Sequence, residues 1–462
     1  MTLIKSISGI RGTIGGQVGE NLTPLDAVKF ASAYGTWLQK RNGDKQKLTV
    51  VVGRDARISG KMISAIVSNT LVGLGIDVID LGLSTTPTVE VAVPLEKANG
   101  GIILTASHNP KQWNALKLLN EKGEFLNEAD GSEILEIAES DAYSFAEVDD
   151  LGIYSKDKSY VEKHIDEVLK LEYVNVDAIK NANFKVVVDA VNSTGGIFIP
   201  ALLERLGVEC VELYCEPNGH FPHNPEPLKE HLGVISELVV KEKADFGIVV
   251  DPDVDRLALV CEDGSMFGEE YTLVACADYV LSKKAGNTVS NLSSSRALRD
   301  VTQKHGGTYQ ASAVGEVNVV QLMKDTNAII GGEGNGGIIY PASHYGRDSL
   351  VGVALFLSHL ATCGMSCLEL RQSYPSYFMS KNKIQLTPQI DVDKILETMA
   401  VNYQNEDVST IDGVKINFEK EWVHLRKSNT EPIIRIYTES TSQANADALA
   451  ERIISEIKNI IA

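Results

Sequence analysis

Three stretches of the chain repeat one alternation of apolar and polar positions. In the first, "KLTVVVGRDARISG" is a β-branched run that breaks into a polar, glycine-containing loop. A helix-like "KMISAIVSNTLVGLG" follows, and "IDVIDLG" is a second apolar run. The same order returns in "FKVVVDAVNSTGG", "IFIPALLERLG" and "VECVELY", and more faintly in "NTVSNLSSSRA", "LRDVTQKHGG" and "TYQASAVG". Strand, polar loop, helix, strand is the signature of a βαβ unit, and its loops at the strand C-terminal ends are where such proteins build sites. After "RQSYPSYFMSKNK" the rhythm changes. "KIQLTP", a helix-like "DVDKILETMAVNYQN" and the hairpin-like "DGVKINFEKEWVHLRKSNTEPIIRIYTES" precede "SQANADALAERIISEIKNIIA", whose apolar positions fall at helical spacing. The pattern predicts three related mixed α/β domains, 1–154, 155–257 and 258–372, followed by a smaller α+β domain, 373–462.

Length and composition agree with this reading. A chain of 462 residues exceeds one ordinary domain, and 44% hydrophobic with 23% charged residues describes a soluble globular protein. No apolar run approaches the roughly 20 residues that span a bilayer. The opening "MTLIKSISGIRG" lacks the apolar core of a signal peptide. Six cysteines, Cys210, Cys215, Cys261, Cys276, Cys363 and Cys367, are scattered without a Cys-x-x-Cys pair, as expected of free thiols in the cytoplasm. A net charge of −19 argues against nucleic acid or an anionic membrane as partner. It does not exclude a small phosphate ester, because screening over about 8 Å lets a local arginine cluster override a distant surface.

Four motifs carry candidate chemistry. In "ILTASHNPKQWNALK" the apolar run Gly101 to Leu104 stops at Thr105, Ala106, Ser107, His108, Asn109 and Pro110. A serine hydrolase is a poor reading, since His108 is next to Ser107 in sequence and no G-x-S-x-G elbow surrounds it. In "DFGIVVDPDVDRLALV" the run Phe246 to Val250 delivers Asp251, Asp253 and Asp255 at alternate positions, followed by Arg256. Three such carboxylates repel unless a cation holds them, and hard oxygen ligands point to Mg²⁺. An EF-hand fails because Arg256 stands where that loop needs glycine and "LALV" reads as a strand. In "GGEGNGGIIYP", glycines around Glu333 and Asn335 would let backbone approach a ligand, with side chains suited to sugar hydroxyls. In "RKSNTEPIIRIY", Arg426 and Arg435 bracket Ser428, Asn429 and Thr430, a cradle for a phosphate dianion.

Taken in this order, the motifs resemble the α-D-phosphohexomutase superfamily from end to end, with phosphoglucosamine mutases and phosphomannomutases the nearest in appearance. "TASHNP" matches the family's phosphoserine loop, "DPDVDR" its metal loop, "GEGNGG" its sugar loop and "RKSNTEPIIR" its phosphate loop, with support from "SGIRGTIG" and "GRDARISG". The resemblance implies that Ser107 is a phosphoryl carrier and that Asp251, Asp253 and Asp255 hold Mg²⁺ against its phosphate. His108 and Arg256 would stabilise the transferring group, and Lys117 and Arg11 would flank the reacting hydroxyl. The implied reaction moves a phosphoryl group between the 6- and 1-positions of a hexose phosphate, through a hexose 1,6-bisphosphate, in a central cleft where four loops meet. Glu333, Asn335, Arg426, Ser428, Asn429, Thr430 and Arg435 would bind the substrate. Two loops depart from the family pattern: Asn335 and Gly337 replace the Ser and His of the sugar loop, and Asn429 replaces the glycine of the phosphate loop. Both variants look like the archaeal-type phosphoglucosamine mutase branch, so glucosamine 6-phosphate is the expected substrate, with mannose and glucose phosphates as alternatives. A non-catalytic sugar-phosphate binder is the remote alternative.

Overall fold

The β-branched runs fold into four sheets. The computed structural model describes residues 2–6, 9–43, 47–385, 390–427 and 433–461; Ser428, Asn429 and Thr430 of the expected cradle lie outside them. The first sheet orders its seven strands Ile4–Ser6, Gly9–Thr13, Trp113–Leu119, Gly100–Leu104, Thr49–Arg54, Asp77–Leu83 and Tyr154–Lys156. The second runs Leu257–Cys261, Phe246–Val250, Lys185–Asp189, Glu209–Leu213, and the third Tyr309–Ser312, Asn287–Asn291, Ala328–Glu333, Gly337–Ile339.

One four-strand unit recurs in all three. Its first strand lies between the second and third, both parallel to it, and the fourth returns antiparallel beside the third. The predicted repeat is therefore a repeat of topology. The first sheet continues past residue 154 through its edge strand Tyr154–Lys156, and the second keeps Leu257–Cys261 whole, so both units run a few residues beyond the expected boundaries.

The consequence for function is direct. The turn between third and fourth strands is "TASHNPKQ" in the first unit, "DPDVDR" in the second and "GNG" in the third. Three motifs with different chemistry thus occupy one equivalent position, at the C-terminal end of a buried parallel strand.

The last unit is α+β. Its five strands are antiparallel in the order Phe378–Gln385, Ile433–Ser440, Trp422–Lys427, Val414–Asn417, Asp407–Ser409. The helices Val392–Asn402 and Gln443–Ile461 bury Leu396, Met399, Leu449, Ile453 and Ile457 against one face, with Leu425, Ile434 and Ile436. A continuous core joins the second and third units, where Phe356 sits edge-on to both Phe246 and Phe267 at 5.3 Å. Phe356 lies on the helix Ser349–Cys363, whose apolar surface on every side fits its burial. No single helix among the described residues is long and apolar enough to cross a membrane.

Candidate active site

The serine loop begins where Leu104 ends its strand. Ser107 has φ +47°, a left-handed conformation that costs a non-glycine residue roughly 1–2 kcal/mol. The loop is held there by Arg57, in the "GRDARISG" segment, whose guanidinium donates to the carbonyls of Ser107, Asn109, Pro110 and Trp113. Asp55 anchors Arg57 through Nε at 2.9 Å and also accepts from Thr105 Oγ1 at 2.7 Å. Arg57 and Asp55 are completely buried. No individual role for this segment could be read from the chain; its signal is an Asp-x-Arg pair directly after a buried strand.

Ser107 Oγ donates to Asp251 Oδ2 at 2.7 Å. All three aspartates are fully buried, with one carboxylate oxygen of each within 4.8 Å of the others. Asp251 Oδ1 accepts the backbone N–H groups of Asp255 and Arg256. Asp253 Oδ2 takes Thr86 Oγ1 at 2.6 Å and Lys117 Nζ at 2.7 Å, and Asp255 Oδ2 takes Arg347 Nη2 at 2.7 Å. Asp253 Oδ1 and Asp255 Oδ1 are buried without a hydrogen-bond partner among the described residues. Burial, then the neighbouring Asp255 and Asp253, push Asp251 well above the carboxylate range. Orphaned anionic oxygens in a mutually repelling cluster fit a hard cation. The turn is strained at Val254, a buried β-branched residue with φ +64°. Neighbouring units hold it: Thr86 N–H donates to Asp253 O, and Val254 O accepts from Ser349 N–H.

Cations converge around the cluster. Burial works against the charge of Lys117, but Asp253 and Asp255 outweigh it and hold the ammonium above its usual range. Arg11 pairs with Ala115 on the strand that carries Lys117, so both side chains leave the same face of the first sheet. The Nε atoms of Arg11 and Arg256 are buried and have no hydrogen-bond partner among the described residues, as donors awaiting an anion would be. His108 Nδ1 lies 3.4 Å from Ser107 Oγ, and burial with Arg256 pushes the imidazole down to about 2, so it is neutral.

Arg435 reaches this region from the last unit, its charge adding to burial in lowering Arg11. Across the antiparallel strands Lys383, Arg435 and Arg426 stand in one row, opposite the face that packs the helices. Like charges side by side are unfavourable unless an anion joins them. Arg426 Nε has Asp412 Oδ2 at 2.8 Å. Lys383 escaped the sequence reading because its place beside Arg435 is set by strand register.

The sugar loop is packed tightly against its neighbours. A Cβ on Gly334 would lie 2.1 Å from the Glu270 carboxylate, one on Gly336 2.3 Å from Leu257 O, and one on Gly337 2.3 Å from Arg347 Cδ. These glycines bring backbone close to other parts of the protein. Arg347, another residue the motifs did not reveal, fills the space at Gly337 and bonds Glu316, Glu333 and Asp255. It ties the sugar loop to the aspartates. Glu333 accepts from Asn291, Gly315 N–H and Arg347. Burial disfavours its charge, yet Arg347 and Asn291 keep the carboxyl below its usual range. Asn335, half-buried, accepts the N–H of Gly337 at 3.2 Å.

A cavity of about 640 Å³ elsewhere, lined by Arg54, Lys61, Asp80, Lys156 and Lys158, contains none of these residues; the chemistry lies where the units meet.

A hydroxyl beside a buried carboxylate cluster, with arginines close by on a thrice-repeated α/β unit, is an arrangement suited to phosphoryl transfer. Comparison with known proteins makes that class specific. Phosphoglucomutase/phosphomannomutase α/β/α domains I, II and III match residues 3–144, 162–264 and 268–377, and the C-terminal domain of the same proteins matches 383–456. A phosphoglucomutase/phosphomannomutase of Thermococcus kodakarensis is 36% identical, over 94% of this chain and 95% of its own. A phosphoglucosamine/phosphogalactosamine mutase of Sulfurisphaera tokodaii is 31% identical over 98% of both chains. The crystal structure of a phosphoglucomutase/phosphomannomutase family protein from Burkholderia thailandensis superposes with a TM-score of 0.84, at 25% identity and 98% coverage of each chain. The chain belongs to the phosphoglucomutase/phosphomannomutase family.

Proposed function

We infer that this protein is a phosphohexomutase that moves a phosphoryl group between the 6- and 1-positions of a hexose phosphate, with Ser107 as carrier. The observation that carries the reading is Ser107 Oγ at 2.7 Å from Asp251, within a buried carboxylate cluster that retains orphaned oxygens. Phospho-Ser107 gives its phosphoryl group to one sugar hydroxyl, and the resulting 1,6-bisphosphate reorients and returns its other phosphate to Ser107. Over the cycle the proton lost from one hydroxyl is restored at the other. Asp251, Asp253 and Asp255 would hold Mg²⁺ against the Ser107 phosphate, where it would withdraw charge from the transferring group. Arg57 fixes the carrier, while Arg11, Arg256 and His108 offer N–H donors to the phosphoryl oxygens. Lys117 contributes positive charge between Asp253 and Asp255. The Lys383, Arg435 and Arg426 row supports a cradle for the phosphate not being transferred. A cradle on a separate unit suits a substrate that binds in two opposite orientations.

The preferred substrate is glucosamine 6-phosphate, on the "EGNGG" and "SNTEP" variants and the amino-sugar name of the Sulfurisphaera relative. The Thermococcus relative favours a second reading, a mannose or glucose phosphate. Three hydrogen bonds already engage Glu333, which limits its use as a reader of the C2 amine. Discrimination needs contacts that differ in the transition state, so overlapping activities follow, with the amino sugar highest. Measuring kcat/KM for the three hexose 6-phosphates under one set of conditions tests this; a roughly tenfold advantage for mannose or glucose phosphate would move the assignment. Free thiols throughout suit a cytoplasmic enzyme.

A further inference from the structure

We propose that His164, His344 and Asp348 form a second cation site, built for a borderline transition ion such as Zn²⁺, that clamps the first three units together. His164 lies on the helix Tyr160–Leu169, and Asp348 caps the helix Ser349–Cys363 four residues after His344. Asp348 Oδ2 stands 2.9 Å from His164 Nε2 and 3.1 Å from His344 Nε2, and the three ligand atoms lie within 4.8 Å of one another. Ligands about 2.0–2.1 Å from a tetrahedral Zn²⁺ stand roughly 3.3 Å apart, so the two Asp348 contacts need open only slightly to admit an ion.

The far sides of His164 and Asp348 are already held. His164 Nδ1 shares a hydrogen bond with Thr88 Oγ1 at 2.8 Å, and Thr88 is fixed in turn by Thr85. Asp348 Oδ1 accepts the N–H groups of Leu350 and Val351. His344 Nδ1 faces Glu90 Oε2 at 3.4 Å. Outer partners on the second ring nitrogen and second carboxylate oxygen are what orient ligands toward a metal. Thr88 and Glu90 belong to the helix Thr86–Leu95, so the first unit supplies the outer support.

Glu90 gives an independent sign of an absent partner. It is 1% exposed, and neither carboxylate oxygen nor His344 Nδ1 has a hydrogen-bond partner among the described residues. A cation on His344 Nε2 leaves the proton on Nδ1, facing Glu90 Oε2 at 3.4 Å, and Asp348 supplies an anionic ligand in a buried place. The chain comes so close here that a Cβ on Gly346 would lie 1.9 Å from Glu90 Oε2. Two imidazoles favour Zn²⁺ over Mg²⁺, which separates this site from the aspartate loop.

The test is Co²⁺ titration of the full-length, chelator-stripped protein in excess Mg²⁺, read by visible absorption and by melting temperature. The proposal predicts one Co²⁺ per chain, d–d bands without a thiolate charge-transfer band, and a melting temperature raised by a few degrees. His344→Gln and His164→Asn should each abolish the bands and the rise, whereas Asp251→Asn should keep both. The melting temperature of each variant without Co²⁺ reports whether it has folded. No Co²⁺ bound in excess Mg²⁺, or bands unchanged in folded His344→Gln, would overturn the site.

Discussion

Ser107 sits in a backbone conformation it would not choose, and Arg57 holds it there. A planar fork reaching four carbonyls cannot be copied by an ammonium, whose donors are tetrahedral. Removing the charge altogether would leave buried Asp55 unpaired, at a cost of about 3–5 kcal/mol, and would confuse folding with catalysis. Arg57→Lys is therefore the informative change. It should fold, with kcat lowered by about 100-fold, the effect of misplacing a reacting group by an ångström, and KM little altered. A wild-type kcat in steady-state assays of that variant would show that the serine loop needs no such grip.

At the scale of elements, one turn of a repeated unit has acquired three chemistries. Asp253 shows how closely such a turn depends on its surroundings: its Oδ2 is engaged by Thr86 and Lys117, and its Oδ1 is orphaned. Asp253→Asn keeps the shape and loses one anionic ligand. The Mg²⁺ concentration for half-maximal activity should rise by more than about tenfold, since even outer-shell losses have that effect. An unchanged Mg²⁺ requirement would mean the cluster serves another purpose. The aspartates could be read from the chain because all three come from one turn after one apolar run. The alternation of strand, loop and helix was legible for the same reason, as was the antiparallel last unit. What could not be read was set by approach between units: the Arg57 fork, Arg347 bridging Glu333 to Asp255, and Lys383 beside Arg435. Nor could the chain say that Gly334, Gly336 and Gly337 lie against Glu270, Leu257 and Arg347, because a glycine marks a close approach without saying what approaches.

At the scale of the whole molecule, the site exists only while the units stay together, and the last unit is joined to the third partly through His424. Its Nδ1 meets Ser293 Oγ at 2.9 Å and its Nε2 donates to Asp412 O at 2.7 Å. Burial, against the pull of the Asp412 carbonyl, pushes the imidazole down to about 4. The unfolded histidine takes up its proton near pH 6.5. Between these values the unfolded chain binds more protons, so stability falls as pH falls, by up to about 1.4 kcal/mol per pH unit from this residue. His424→Gln should lose less stability than the wild type when denaturant unfolding is compared between about pH 7 and about pH 5. Equal losses would remove His424 from the acid response. The central claim, that these units assemble around a phosphorylated serine, is tested most directly by mass. After incubation with a hexose 1,6-bisphosphate and Mg²⁺, the intact wild-type chain should carry one added phosphoryl group, mapped to Ser107 by peptide fragmentation. Ser107→Ala should carry none and turn over no substrate. A Ser107→Ala chain that still turns over hexose phosphate, or a phosphoryl group found on another residue, would contradict the account.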